Sequence, residues 1–131
     1  MNKVGKRILA LCLALSVICG IGSISVFADD YDSETGAISG YSTKGYSYIG
    51  QTSAYAYTSF GGNGQVTVSS TYGYVNVYTL ATDSESRNDG DHSYAQVNFT
   101  APRNCHSVYI DSDHQVVAYG QTWSTSTYAT Y

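Results

Sequence analysis

Alternation with period two recurs along this chain after residue 40, and helical periodicity is absent there, so the sequence commits itself to strands. Between residues 65 and 80 the even positions read Val66, Val68, Ser70, Tyr72, Tyr74, Asn76, Tyr78 and Leu80, a mostly apolar face made of strand-favouring residues. Gly73 interrupts the run and hands the apolar character to Val75 and Val77, which predicts a bulge or a strand-to-strand bend. Residues 94–101 set Ala95, Val97, Phe99 and Ala101 against Gln96, Asn98 and Thr100. Val108 and Ile110 form a short pair, and Val117, Tyr119 and Trp123 share one parity of a last long strand. Turn signals separate these runs at Gly61-Gly62-Asn63-Gly64, Asp89-Gly90, Pro102-Arg103-Asn104 and Asp111-Ser112-Asp113. The expected fold is all-β, a small antiparallel β-sandwich or barrel of six to eight short strands. It occupies 40–131 as a single domain, behind an acidic flexible lead-in at 29–39.

A strand fold needs a core, and aliphatic residues are scarce. Val, Ile, Leu and Phe together number fourteen between residues 29 and 131, a poverty that on its own suggests disorder. Tyrosine offsets it. All fourteen tyrosines lie in the same stretch, and each ring can bury about 150 Å² or more while its hydroxyl seeks a partner. The core is therefore expected to be thin and aromatic, and the twenty-eight serines and threonines suit polar outer sheet faces. Three Tyr-x-Tyr units, at 46–48, 55–57 and 72–74, are spaced by nine and seventeen residues, too irregularly for a solenoid.

The first twenty-eight residues read as an export signal. Lys3, Lys6 and Arg7 precede an almost unbroken apolar run from 8 to 24, and Val26-Phe27-Ala28 presents small residues for cleavage before Asp29. A retained anchor is the alternative, because the run is long enough nearly to span a bilayer. Gly20 and Gly22 weaken that helix and favour cleavage, so the product is expected to be secreted and extracellular after loss of a signal-peptide helix. Cleavage leaves ten acids against Lys44, Arg87 and Arg103, a net charge of −7 with histidine neutral. Such a chain repels phosphate backbones and anionic headgroups, which excludes nucleic acid as partner and argues against stable membrane association.

No catalytic motif stands out. Cys105 is the only cysteine after cleavage, left for an intermolecular disulfide joining two copies or for a free thiol. As a nucleophile it would need His92 or His114 brought in by folding, since His106 on the same strand would point to the opposite face. Asp83, Glu85, Asp89 and Asp91 fall in an expected acidic hairpin, and Asp111 and Asp113 in another turn, all oxygen ligands of the kind calcium prefers. Aligning Gly90 with the glycine of an EF-hand puts Arg87 at a ligand position and Gln96 where the closing glutamate belongs. His92, Cys105, His106 and His114 match no zinc spacing, so neither a metal nor another cofactor is expected. Asp111 and Asp113 resemble a glycosidase carboxylate pair only superficially.

The tyrosines remain the best functional surface. A Tyr-x-Tyr unit in a strand sets two rings on one side about 7 Å apart, and neighbouring strands extend them into a ladder. Tyr46, Tyr48, Tyr55, Tyr57, Tyr72, Tyr74 and Trp123 are the candidates for an aromatic platform, to be divided between core and binding surface. The expected function is non-enzymatic binding of a cell-envelope component, a polysaccharide or a protein.

Tyr72-Gly73-Tyr74-Val75, then His92-Ser93 ahead of Val97, then the stretch from Gly120 to Trp123 with an aromatic end at Tyr131, resemble the lactococcin 972 class of secreted bacteriocins. The resemblance spans about half of the chain after the leader and implies a β-sandwich antimicrobial acting at the cell-wall precursor. The absence of an early tryptophan, the presence of Cys105 and the acidic charge depart from that class. The chain is also similar in general character to small Tyr, Ser and Thr rich secreted proteins of Gram-positive bacteria, a likeness that implies no activity.

Overall fold

The computed structural model describes residues 29–131, so the signal peptide and helix expected at 1–28 lie outside the described residues. Those described form eight strands: β1 (Asp30–Ile38), β2 (Tyr41–Ile49), β3 (Ser53–Phe60), β4 (Gln65–Asn76), β5 (Thr82–Asp91), β6 (Tyr94–Thr100), β7 (Cys105–Ala118) and β8 (Gln121–Thr130). They build two antiparallel four-stranded sheets, in the orders β1-β2-β3-β6 and β5-β4-β7-β8. The sheets pack face to face as a sandwich, β1 over β8 at one flank and β6 over β4 and β5 at the other. The glycine-rich segment 61–64 carries the chain from the first sheet to the second, and Pro102-Arg103-Asn104 carries it there again after β6 has rejoined the first. Two hairpins close through two-residue turns with positive φ at both positions, Ser39-Gly40 (50° and 83°) and Tyr119-Gly120 (52° and 71°). This is the turn geometry whose twist matches that of paired strands.

Alternation correctly identifies the inward residues of β4 and β6: Val66, Val68, Ser70 and Tyr72, and Ala95, Val97 and Phe99, are buried. The bend anticipated at Gly73 is a break in register between Gly73 and Tyr74 against β7. The ring of Tyr109 lies where a Cβ on Gly73 would stand, only 2.1 Å from its Cε1. Four expectations are corrected. The 29–39 lead-in is strand β1, paired along its whole length with β2. The acidic hairpin at Asp83, Glu85, Asp89 and Asp91, with its Asp89-Gly90 turn, is the straight edge strand β5. Asp111-Ser112-Asp113 does not turn, because Ser112 points inward and bonds to Ser47 and Ser70, which keeps β7 continuous through this point. The Tyr119-Gly120 turn then breaks the supposed common parity: Val117 and Tyr119 are exposed, while Trp123 packs inward over Gly36. Tyr78 and Leu80 are also exposed, since β4 ends at Asn76 and its side chain caps the loop beyond, accepting from the Tyr78 and Thr79 amides.

The core has two parts. An apolar layer joins Ile49, Phe60, Val66, Val68, Tyr72, Phe99, Ile110 and Val116, with Tyr72 stacked on Phe99 at 5.3 Å. Beside it runs a polar seam in which buried hydroxyls find partners within the second sheet and across the two sheets, as burial requires, while the buried Thr43 Oγ1 has none among the described residues. Ser47 bonds to Ser112 at 2.8 Å and lies 2.6 Å from Thr127; Ser70 donates to Ser112; and His114 bridges Thr58 (2.9 Å) and Thr127 (2.8 Å) with its two ring nitrogens.

Candidate functional site

Pairing of β1, β2, β3 and β6 in register decides what stands on the outer face of the first sheet. Tyr31 lies opposite Tyr48, Tyr48 opposite Tyr55, and Tyr46 opposite Tyr57. Because side chains on one face recur every second residue, the Tyr-x-Tyr units of β2 and β3 meet as a block of four half-buried rings. Tyr31 and Tyr94 extend the block to both flanks, 65% and 48% exposed. Ring centroids are 5.8 Å apart for Tyr31 and Tyr46, 5.2 Å for Tyr46 and Tyr57, and 5.4 Å for Tyr57 and Tyr94, one stack that crosses all four strands. A branch passes from Tyr46 to Tyr55 at 5.9 Å and on to Tyr48 at 5.2 Å. The planes within these pairs differ by only 15° to 28°. The rings therefore cover one another's faces and offer solvent their edges, their hydroxyls and the furrows between rows.

The polar rim is organised as well. Lys44 places its ammonium 5.1 Å from the Tyr46 ring centre and 5.9 Å from that of Tyr57, within cation–π range. Tyr48 donates a short hydrogen bond to Asp29, Tyr94 donates to Gln96, and the Gln96 amide donates to Asn98. Desolvation, then the neighbouring phenols of Tyr55, Tyr57 and Tyr31, push the Tyr46 hydroxyl up to about 12. Tyr48 is raised chiefly by its bond to Asp29, and Tyr94 by burial and then by Tyr57 and Tyr55. These three phenols thus remain neutral donors and acceptors throughout the physiological range.

Of the seven platform candidates, the structure brings Tyr46, Tyr48, Tyr55 and Tyr57 together on this face. The other three lie on the inner side of the second sheet. Tyr72 is fully buried with its hydroxyl 2.7 Å from Ser107, and Tyr74 and Trp123 pack against the core. They face inward because the apolar parity of β4 and β8 is the parity that closes the sandwich. Tyr31 and Tyr94 escape the sequence reading because each stands without a Tyr-x-Tyr partner, and only pairing with β2 and β3 brings them in. Cys105 is buried at the start of β7 and has no disulfide partner among the described residues. Neither histidine considered as its base joins it: His114 is engaged with Thr58 and Thr127, and His92 lies in the exposed turn between β5 and β6. The acidic residues of β1 and β5 gather no group of three metal-ligating side chains among the described residues. No protein-family model, curated protein or solved structure matches the chain.

Proposed function

We propose that the protein is a secreted, non-enzymatic β-sandwich that binds a cell-envelope component, a polysaccharide or a protein through the tyrosine face of its first sheet. One observation carries the reading: six tyrosines stacked across four strands on an outer surface, where apolar rings would otherwise be selected against unless they meet something. Tyrosine suits recognition because a rigid ring with few rotamers supplies contact area and its hydroxyl supplies direction. The Tyr46 phenol, which holds its proton up to about pH 12, offers a ring edge and a hydrogen bond rather than a base for turnover. Export rests on the leader at 1–28.

The test is retention of the purified protein on intact cells, isolated walls, insoluble glycans and envelope proteins, with growth of the cells scored in parallel. Replacing both Tyr46 and Tyr57 by serine is expected to lower retention by about tenfold or more, the usual consequence of removing central aromatic anchors. Wild-type protein that is retained on none of these surfaces overturns the proposal. Retention without killing supports the binding module, and killing of the cells overturns it in favour of a bacteriocin.

A further inference from the structure

The tyrosine rows do not stop at a blank edge. Register carries the row of Tyr48 and Tyr55 on to Asn98, and the row of Tyr46 and Tyr57 on to Gln96, so each passes from phenol to carboxamide at β6. Beyond β6 lies a cleft walled by β5, and Gln96 and Asn98 line both the face and this cleft. Arg87 and Asp89 project into it from β5, opposite the inward residues Ser70 and Val68 of β4. Both are held in place: Arg87 donates to Glu85 and to the Asn98 carbonyl at 2.7 Å, and Asp89 accepts from the Gln96 amide nitrogen at 3.0 Å. Face and cleft form one track across the strands, on the order of 15–20 Å long at the usual strand spacing.

We infer that this track takes a neutral, hydroxyl-rich glycan chain, running from the tyrosine rows over β6 into the β5–β6 cleft; the inference rests on the reading that the tyrosine face is the binding surface. The electrostatics select the class. The described residues carry ten carboxylates against three cations, yet on the outer face of the first sheet the charges are Lys44 and, at one corner, Asp29, which is engaged by Tyr48. A polyanion would approach against a net charge of −7, with Lys44 on the face and, in the cleft, an Arg87 already paired with Glu85 to receive it. A protein partner is usually met by aromatic side chains that it can cover at the centre of the interface, whereas these rings already spend most of their faces on each other. What the surface offers instead is hydroxyls, furrows edged by ring C–H groups, two planar amides, a guanidinium and a carboxylate. Planar groups of that kind pair with neighbouring hydroxyls of a sugar ring, and the furrows fit its C–H flanks.

The probes are insoluble cellulose, chitin, mannan and β-1,3-glucan, with polygalacturonate as the polyanion and isolated cell walls alongside. Wild-type protein is expected to be retained on at least one neutral glycan. Tyr46→Ser with Tyr57→Ser should lose about tenfold or more of that retention. Asn98→Ala, which leaves the backbone carbonyl for Arg87, should lose about three- to tenfold, the worth of one or two hydrogen bonds. Near-ultraviolet circular dichroism verifies that each variant keeps the wild-type packing. Retention on walls or polyanion alone, through the tyrosines, overturns the neutral-glycan inference and leaves the binding face standing. Glycan retention that Asn98→Ala does not alter overturns the track into the cleft. Retention on nothing overturns both.

Discussion

His114 is the residue in which composition and fold are most at odds, a titratable ring at the centre of a sandwich, 1% exposed. It fits because β2 places Gly45 beneath it: a Cβ there would stand 2.6 Å from the ring. Both nitrogens are occupied by threonine hydroxyls, one from each sheet, so the neutral ring fastens the sheets together. Burial lowers its pKa from 6.5 to about 4, with Asp113 and Asp32 pulling weakly the other way. In the unfolded chain the ring titrates near its ordinary value, so between these two values the unfolded state binds the extra proton and stability rises with pH. The contribution is complete above about pH 6.5, falls as the solution is acidified towards pH 4, and amounts to about 3 kcal/mol at most. Urea unfolding at several values across that window should show the loss. In His114→Gln, less stable at every pH, the histidine part of the slope should be gone. An unchanged slope in the variant would show that other groups govern the acid response.

At the scale of the strand, the acids do structural work. Asp30, Asp32 and Glu34 on β1, and Asp83, Glu85, Asp89 and Asp91 on β5, all occupy the inward parity of an edge strand. From there they reach the opposite sheet's open edge: Asp32 accepts from the Tyr128 amide at 3.0 Å and Asp30 from that of Thr130, while Asp89 and Arg87 satisfy the N–H of Gln96 and the carbonyl of Asn98 on β6. Inward charge is one of the ways natural sheets deter edge-to-edge association, and here it also satisfies the backbone groups that such association would recruit. Asp32→Ala should therefore cost about 1–2 kcal/mol, measured by chemical denaturation, and promote concentration-dependent association seen by light scattering. Asp32→Asn, which keeps an acceptor oxygen, should do neither. Equal effects from both variants would mean that charge, and not edge capping, is what matters. The same strands show where sequence reading stops. The inward parity of β4 and β6 was legible because apolar and polar residues alternate there. Charge suggests solvent in β1 and β5, a flexible lead-in and an acidic hairpin, although 30-32-34 and 83-85-87-89-91 keep the period of a strand. The four central tyrosines were legible from their doublets. Tyr31, Tyr94 and the inward fate of Tyr72, Tyr74 and Trp123 depend on which strands pair and which parity closes the sandwich, information no local window contains.

Across the whole molecule the two outer faces differ in charge and in the extent of their aromatic rows. The first sheet shows six stacked phenols, hydroxyls, amides and Lys44; the second shows Asp111, Asp113, threonines, serines, the exposed Val117 and a single stacked pair, Tyr109 and Tyr128, with the acidic strand β5 at its edge. Net charge is thus kept off the face proposed to bind, and the acidic remainder serves solubility and mutual repulsion between copies. That division makes a statement about salt. Recognition of a neutral chain by ring edges and hydrogen bonds involves no release of counterions, whereas a polyanion held by Lys44 would weaken steeply as ionic strength rises. Retention on the best neutral glycan should therefore change by less than about twofold when sodium chloride is raised from about 0.05 to 0.5 M, a span that shortens the screening length from roughly 14 Å to roughly 4 Å. Lys44→Gln should leave that flat profile in place, because a neutral ligand draws nothing from the charge of an ammonium that rests 5.1 Å from the Tyr46 ring centre. A steep fall with salt that Lys44→Gln abolishes would move the ligand to the acidic polysaccharides and make Lys44, rather than the phenol rows, the residue that selects it.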